Sequence, residues 1–515
     1  MLNLNPRDYQ KSIFETAKNN NTLVVLPTGL GKTLIATMLS IECLKNRPGS
    51  KILFLAPTRP LVEQHLQTYK TLLPEPFADL QIFTGSVNAK ERKKIWQTAE
   101  IIFSTPQCIA NDLENYLYDL SEVSLLIIDE AHRCLKNYDY TKVVSHYKNQ
   151  AQNQRILGLT ASPGSDPGIV KQICKHLNID EIEMRTRNSE DVKPYVQERE
   201  FEKVEVPFPQ EFIEIRTLLK RIWEEKVEKL RSRNLLFGPA NKITLLKLQA
   251  RLAAQVSSRN FNAMHGMSLC AQAIKISHAI ELLETQTLSG LLEYLKGLKK
   301  QADEKKSKGV QTLVKSPEFE AAFLSLSQLL EKGIEHPKIG EISEIVRSQF
   351  EEDKKSKIMI FTQFRETAAR IVENLKKIPE AKASIFIGQA KKVSNSGQSG
   401  LSQKEQKAVI ENFRSGELNV ICATSIGEEG LDIPEVSAVL FYEPIPSAIR
   451  KIQRAGRTAR LSPGKLKILI TKDTRDEINH YVSNARERKM YKTIELVKKE
   501  IENRPKTLED FKQRP

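Results

Sequence analysis

An apolar strand that runs through a glycine turn into a helix constrains this chain more than any other stretch. It reads Leu23-Val24-Val25-Leu26-Pro27-Thr28-Gly29-Leu30-Gly31-Lys32-Thr33-Leu34-Ile35-Ala36. Gly29 and Gly31 permit the tight bend that aims successive backbone N–H groups at one point, and the helix starting near Lys32 adds its positive dipole end. A polyphosphate suits such a turn: Lys32 would reach its outer phosphates and the Thr33 hydroxyl would ligate Mg²⁺. The strict G-x-x-x-x-G-K-[ST] pattern asks for glycine at position 26, where this chain has Leu26. A glycine turn beside a surface lysine would look the same locally, so the reading depends on an acidic partner elsewhere.

That partner is Leu125-Leu126-Ile127-Ile128-Asp129-Glu130-Ala131-His132. A fully apolar strand delivers two adjacent carboxylates to its carboxyl end. Asp129 can hold Mg²⁺, directly or through water, and Glu130 can orient and deprotonate a water attacking the terminal phosphate. Either motif alone has an ordinary reading as a turn; together they point to nucleoside triphosphate hydrolysis, with ATP and Mg²⁺ as the expected cofactors.

The rest of the chain divides by pattern. Up to about residue 186, short Ile/Leu/Val-rich strands (Thr22–Leu26, Lys51–Ala56, Leu80–Phe83, Ile101–Ser104, Leu125–Asp129, Arg155–Thr160) alternate with helical stretches, as in a parallel sheet covered on both faces. Ligands bind such sheets at the carboxyl ends of their strands. From about Phe201 to Glu335 strand signals fade, and long charged amphipathic stretches (Ile213–Leu235, Ile243–Ala254, Cys270–Leu295) predict a helical insertion. Strands resume at Lys357–Thr362, Ala383–Ile387, Asn419–Ala423, Ala438–Tyr442 and Lys465–Ile470, before a charged helical tail. The expected units are therefore 1–200, 201–335 and 336–515. The chain has 515 residues and a formal net charge of +15, which favours a polyanionic partner. Its six cysteines form no C-x-x-C spacing, arguing against zinc or a disulfide framework and for a reducing interior. No apolar run approaches membrane-spanning length and no signal peptide is legible, so a cytoplasmic location away from membranes is expected.

The motifs, in their order, resemble those of superfamily 2 helicases of the DEAH type. Asp129-Glu130-Ala131-His132 is that family's box; Arg7, Tyr9 and Gln10 resemble its adenine-recognition element; Ala56-Pro57-Thr58-Arg59-Pro60-Leu61-Val62-Glu63-Gln64 looks like motif Ia; Thr84-Gly85 and Ser104-Thr105-Pro106-Gln107 resemble the motif Ib region. Thr160-Ala161-Ser162 matches motif III, Ile358–Thr362 resembles motif IV, Ala423-Thr424-Ser425-Ile426-Gly427-Glu428-Glu429-Gly430-Leu431-Asp432-Ile433-Pro434 resembles motif V, and Gln453-Arg454-Ala455-Gly456-Arg457-Thr458-Ala459-Arg460 matches motif VI, with Ala459 where glycine is common. The place of the helical insertion and the run Tyr442-Glu443-Pro444-Ile445-Pro446-Ser447-Ala448-Ile449-Arg450 are similar to the archaeal Hef helicases, relatives of the Fanconi-anaemia M-type and Mph-type translocases.

The resemblance implies an α/β fold of two RecA-like parallel-sheet domains with an inserted thumb-like helical domain. It implies a catalytic set of Lys32, Asp129, Glu130, Gln453, Arg457 and Arg460, in which the two arginines, three apart and so on one helical face, cross a cleft to the γ-phosphate. Nucleotide contacts would come from Arg7, Gln10, Thr28, Gly29, Gly31, Lys32, Thr33, Gly430 and Asp432, and metal ligation from Thr33 and Asp129. His132, Thr160 and Ser162 would couple hydrolysis to movement. Thr58, Arg59, Thr84, Gly85, Thr105, Thr362 and Thr424 would line a sequence-neutral track for nucleic-acid phosphates. The implied activity is ATP-dependent remodelling of branched DNA, such as stalled forks and Holliday-type junctions, moving 3′ to 5′. Replication-clamp or repair proteins are the further expected partners, and nucleoid association the expected placement. The alternative is a double-stranded RNA sensor of the Dicer/RIG-I-like type. The sequence stops at Pro515, so the resemblance is to the helicase portion of Hef without its nuclease domain. Glu487-Arg488-Lys489 echoes a nuclease triplet but lacks its acidic partners and reads as a solvated helix face.

Overall fold

The computed structural model describes residues 5–74, 77–256, 260–389, 400–428, 433–459 and 462–503. Three expected site residues, Gly430, Asp432 and Arg460, lie outside the described residues. The chain folds as two parallel-sheet units with a helical bundle inserted between them. The first sheet contains β1 (Thr22–Val25), β2 (Lys51–Leu55), β3 (Leu80–Phe83), β4 (Ile101–Ser104), β5 (Val123–Ile128), β6 (Ile156–Thr160) and β7 (Glu181–Met184). Its order is β3-β4-β2-β5-β6-β1-β7, every pair parallel. The inner strands are buried throughout, which is why their residues are a nearly unbroken apolar run. One core lies on each face.

The second sheet is β10-β11-β9-β12-β13-β8, again all parallel, from β8 (Arg199–Val206), β9 (Ile358–Phe361), β10 (Ala383–Phe386), β11 (Val420–Ala423), β12 (Ala438–Phe441) and β13 (Gly464–Thr471). The boundary expected at residue 200 thus falls inside β8, which pairs along its length with β13. Both β7 and β8 escape the sequence reading for one reason. They are edge strands, and Glu-Ile-Glu-Met and Arg-Glu-Phe-Glu-Lys-Val-Glu-Val carry the charges that protect an edge from stray pairing, so they read as solvated chain.

Between β8 and β9 lies the bundle, led by helices Gln210–Ser232, Lys242–Val256, Phe261–Thr285, Leu288–Asp303 and Pro317–Glu331. The stretch Cys270–Leu295, expected as one helical run, breaks at Gln286, whose backbone is extended, and restarts where the Thr287 side chain accepts from Gly290 N–H. None of the helices among the described residues is long and apolar enough to cross a membrane. The final helix, Arg475–Glu502, leaves the second sheet and crosses to the first unit, burying Met490, Ile494 and Val497 in a core of the first sheet. Of the triplet on this helix, Arg488 and Lys489 are exposed, while Glu487 pairs with Lys451 at 2.7 Å.

The bundle meets the second unit through a buried polar layer. Lys338 Nζ pairs with Asp476 and donates to the Thr285 carbonyl at 3.3 Å, and Thr367 Oγ1 donates to Gln286 Oε1 at 2.8 Å. Beside them Glu443 is buried and accepts from Thr362 Oγ1 at 3.2 Å. Burial pushes the Glu443 carboxyl up to about 7, against the opposing pull of Arg454 and Lys338. A carboxyl raised in the folded state stabilises the fold fully below its unfolded value, and that stability is lost as pH climbs through the folded value. Urea titrations between pH 5 and pH 8 are therefore expected to show a decline of roughly 2–3 kcal/mol in wild-type unfolding free energy from this group. Glu443→Gln should lose less over the same range; parallel declines for the two proteins would contradict the assignment.

A candidate nucleotide site between the two sheets

The loop after β1 turns twice through left-handed backbone, at Gly29 (φ 87°) and Gly31 (φ 74°), before the helix Lys32–Asn46 begins. A side chain at Gly31 would collide with Gln10, whose Nε2 donates to the Leu30 carbonyl at 3.2 Å. Tyr9 Oη donates to the same carbonyl at 2.9 Å, and Arg7 donates to Tyr9 Oη at 3.2 Å with its guanidinium 5.3 Å from the Tyr195 ring centroid. The Arg7–Gln10 element therefore braces the turn from outside. Lys32 Nζ donates to the Leu26 carbonyl at 2.8 Å, inside the curve of the loop.

At the carboxyl end of β5, Asp129 is buried and Glu130 adopts a left-handed backbone (φ 49°), a strained conformation for a residue with a side chain. His65 Nε2 lies 3.0 Å from Asp129 Oδ2, and its Nδ1 lies 3.4 Å from Thr33 Oγ1. Burial pushes the Asp129 carboxyl up, but the His65 hydrogen bond, helped by the nearby Lys32, holds it below the usual carboxylate range. His132 Nδ1 lies 3.2 Å from both Glu130 Oε2 and Thr160 Oγ1, so the acidic box touches the end of β6 through one imidazole. Ser162 N–H donates to Thr160 Oγ1 at 3.1 Å, and the Ser162 hydroxyl donates to Met490 of the final helix at 2.7 Å.

The second wall comes from the helix Ala448–Ala455 and the turn after it. A side chain at Gly456 would meet Thr28 Cβ at 2.8 Å, so the two units touch at the phosphate loop itself. Arg457 is buried next to this contact and donates to the Glu428 carbonyl at 2.7 Å. Gln453 is buried beside it. Arg454 has no exposure: it pairs with Glu428 at 2.7 Å and lies over the Phe361 and Phe441 rings at 4.9 and 5.8 Å, which accommodates a charge in the core.

The expected nucleic-acid residues fall at strand carboxyl ends. Thr58 caps the helix Arg59–Leu72 after β2, and its hydroxyl is buried without a protein partner. Thr84 Oγ1 is 2.8 Å from Ser86 Oγ, Gly85 is open to solvent, and Thr105 precedes the helix Pro106–Glu114. Across the cleft, Thr424 is buried after β11. Thr362 is wholly buried, with its hydroxyl committed to Glu443 and its N–H to the Ala423 carbonyl at 3.0 Å, so against expectation it presents no group to the cleft surface. Thr58, Arg59 and Glu63 face Gln406, Lys407 and Ile426 across a cleft of about 590 Å³, bridged by Lys407–Glu63 at 3.1 Å.

Family models match the three units: "DEAD/DEAH box helicase" over residues 7–168, "Putative ATP-dependent RNA helicase, helical bundle" over 211–333, and "Helicase conserved C-terminal domain" over 337–462. The crystal structure of the Pyrococcus furiosus Hef helicase domain is 42% identical, with a TM-score of 0.71 over 93% of this chain and 98% of that one. The chain belongs to the Hef helicase family. Such helicase domains bind ATP. A Methanocaldococcus jannaschii protein that carries the RNA-helicase designation is 37% identical over 95% of this chain. The Mus musculus Fanconi anemia group M protein homolog is 33% identical over 95%, and the ATP-dependent DNA helicase fml1 of Schizosaccharomyces pombe 34% over 92%. The chain spans 61%, 26% and 57% of these relatives' lengths.

Three side chains that shape this candidate site are not legible as such in the sequence. His65 follows directly on the stretch quoted as motif Ia; with Val62 and Tyr69 it falls on the buried helix face, a spacing that could have flagged it. Glu428 was read only as part of motif V, and nothing local reveals that it neutralises Arg450 and Arg454. Tyr195 contacts Arg7 only through tertiary folding. The close approach of Gly456 to Thr28 yields a test: Gly456→Val should force the units apart there and lower ATP turnover about tenfold or more, with fluorescent-nucleotide binding retained. Turnover equal to wild type would show that this approach is not needed for hydrolysis.

Proposed function

We propose that this chain is the ATP-driven motor of a branched-DNA helicase. The observation that carries the reading is the contact of Gly456 with Thr28, which supports a nucleotide site shared between the two sheets. ATP at the phosphate loop would take Lys32 from the Leu26 carbonyl onto its outer phosphates. Glu130, held by His132, would orient and deprotonate the attacking water, and Arg457, leaving the Glu428 carbonyl, would neutralise charge on the transferring γ-phosphate. Arg460, Gly430 and Asp432 join the site in this reading.

Mg²⁺ fits the oxygen donors present. Thr33 and Asp129 converge on one imidazole, and among the described residues no cluster of three or more His, Cys, Asp or Glu side chains could hold a metal. A two-ligand site completed by phosphates and water suits Mg²⁺, which supplies charge neutralisation on the phosphates. Nucleic acid would cross the carboxyl-end loops of both sheets, contacted at Thr58, Arg59, Thr84, Gly85, Thr105 and Thr424. ATP closes the cleft and hydrolysis reopens it, moving the strand, 3′ to 5′ by the family resemblance. The net charge of +15 supports a phosphate-dominated grip. DNA as the substrate is supported by the DNA-helicase names of relatives such as fml1, and forks and Holliday-type junctions are proposed from the Hef-family resemblance.

ATPase assays with forked DNA, linear duplex DNA and double-stranded RNA in parallel test the substrate. Forked DNA should stimulate most; stimulation by RNA alone would favour the RNA-helicase designation and defeat the proposal. Lys32→Ala should reduce turnover by ~10²-fold or more while salt-sensitive DNA binding persists. Arg457→Ala should slow hydrolysis about 10³-fold with a much smaller change in ATP affinity; an unchanged rate removes Arg457 from the phosphate.

A further inference from the structure

Helix Arg59–Leu72 starts at the nucleic-acid cleft and ends in the core of the first unit. Less than two turns from its start, the His65 ring is buried against Phe54, with ring centroids 4.4 Å apart, so its plane is fixed by packing. Its two nitrogens reach Asp129 Oδ2 at 3.0 Å and Thr33 Oγ1 at 3.4 Å. Ionised Asp129 can only accept a hydrogen bond, so in neutral His65 the proton sits on Nε2 and Nδ1 must accept from the Thr33 hydroxyl. That arrangement fixes both oxygens for one purpose. The Thr33 proton points at His65, which leaves an oxygen lone pair free for a cation. Asp129 Oδ2 is engaged by His65, which leaves Oδ1 as the oxygen for a metal.

The same helix carries Thr58 at its cap, with a buried hydroxyl lacking a protein partner, and Glu63, which pairs with both Arg59 at 2.7 Å and Lys407 of the second unit at 3.1 Å. Any shift of this helix as a strand displaces the Glu63 pairs must move the His65 ring, because ring and helix form one packed body.

We propose that His65 is a positioning residue that orients Thr33 and Asp129 toward Mg²⁺ and transmits nucleic-acid engagement at Thr58 and Arg59 to them. This rests on the ATP-driven reading above. Loss of a group orienting metal ligands typically costs 10- to 100-fold in metal affinity.

The test compares wild type, His65→Ala, His65→Gln and His65→Leu as full chains. Binding of a fluorescent ATP analogue is measured in EDTA and across a Mg²⁺ titration; forked-DNA affinity by anisotropy; and ATP turnover with and without forked DNA. His65→Ala and His65→Leu should bind nucleotide in EDTA as wild type does, yet need about tenfold more Mg²⁺ for tight binding. Their DNA affinity should stay near wild type while DNA stimulation of kcat falls severalfold. Glutamine can donate to Asp129 and accept from Thr33, so His65→Gln should recover most of both properties. An unchanged Mg²⁺ requirement with unchanged DNA stimulation in His65→Ala overturns the proposal. So does loss of nucleotide binding in EDTA together with a lowered thermal midpoint in all three variants, which marks a purely structural residue. If wild type itself shows no DNA-stimulated turnover, the function proposed above fails instead, and the Mg²⁺ titration alone still decides whether His65 orients the ligands.

Discussion

Burial of the inner strands of the first sheet on both faces governs the rest of this molecule. A parallel sheet sealed in this way has little room for polar side chains along its strands, so chemistry is displaced to the carboxyl ends, where the backbone leaves the sheet. Leu125–Ile128 is fully buried, and the next two residues are Asp129 and Glu130. Val25 and Leu26 are buried, and the next turn carries Gly29, Gly31 and Lys32. Thr160 closes β6 and meets His132. The site is a consequence of where strands must stop, and its precision comes from rigid packing just beneath it.

Two such sheets have to face each other, and covalent connection alone would not orient them. The final helix supplies part of the restraint. Its first turn is anchored in the second unit by buried Asp476 against Lys338, and its last turns bury Met490, Ile494 and Val497 in the first unit. Lys171–Glu500 at 2.6 Å adds a surface tie. Exposed pairs of this kind contribute little, whereas the three buried apolar side chains contribute several kcal/mol between them, about 1.5–3 kcal/mol each. The helix also covers the motif III loop through Ser162 and Met490. A movement between the units must therefore bend or slide this helix, which puts a restoring force into the cycle.

The fold was largely legible in the sequence, and the reason is physical. Buried parallel strands are short apolar runs, and all the inner ones could be found from that pattern. The strands that escaped, β7 and β8, sit at sheet edges where one side faces water and charge is favourable. Missing β8 displaced a domain boundary, because a strand just beyond the first unit belongs to the second sheet. The site was legible wherever it lay in a contiguous motif. It was not legible where function depends on a side chain from another element, as with His65 beside Asp129 or Glu428 beneath Arg454, since only folding brings these together. Thr362 is the converse case: its place in the motif is intact, but its hydroxyl is turned inward to Glu443.

The groups assigned above to the phosphates and the metal share one property. Lys32 rests on the Leu26 carbonyl, Arg457 on the Glu428 carbonyl and Asp129 on an imidazole. Each partner satisfies a charge that would otherwise be costly to hold away from water, and a phosphate or Mg²⁺ would add the attraction of a full opposite charge to what the present partner supplies. Asp129 and Arg457 are already buried, so in the proposed reading they would exchange partners with little further desolvation, whereas Lys32 is only half-buried. The exchange at Lys32 is local to the loop. In the proposed reading, Arg457 sits on the second unit and the phosphate loop on the first, so carrying Arg457 from the Glu428 carbonyl to a phosphate would draw on contacts between the units at Gly456 and Thr28. Loss of the outer phosphate would return the carbonyls as the available partners, so the bonds seen here would mark one end of the proposed cycle.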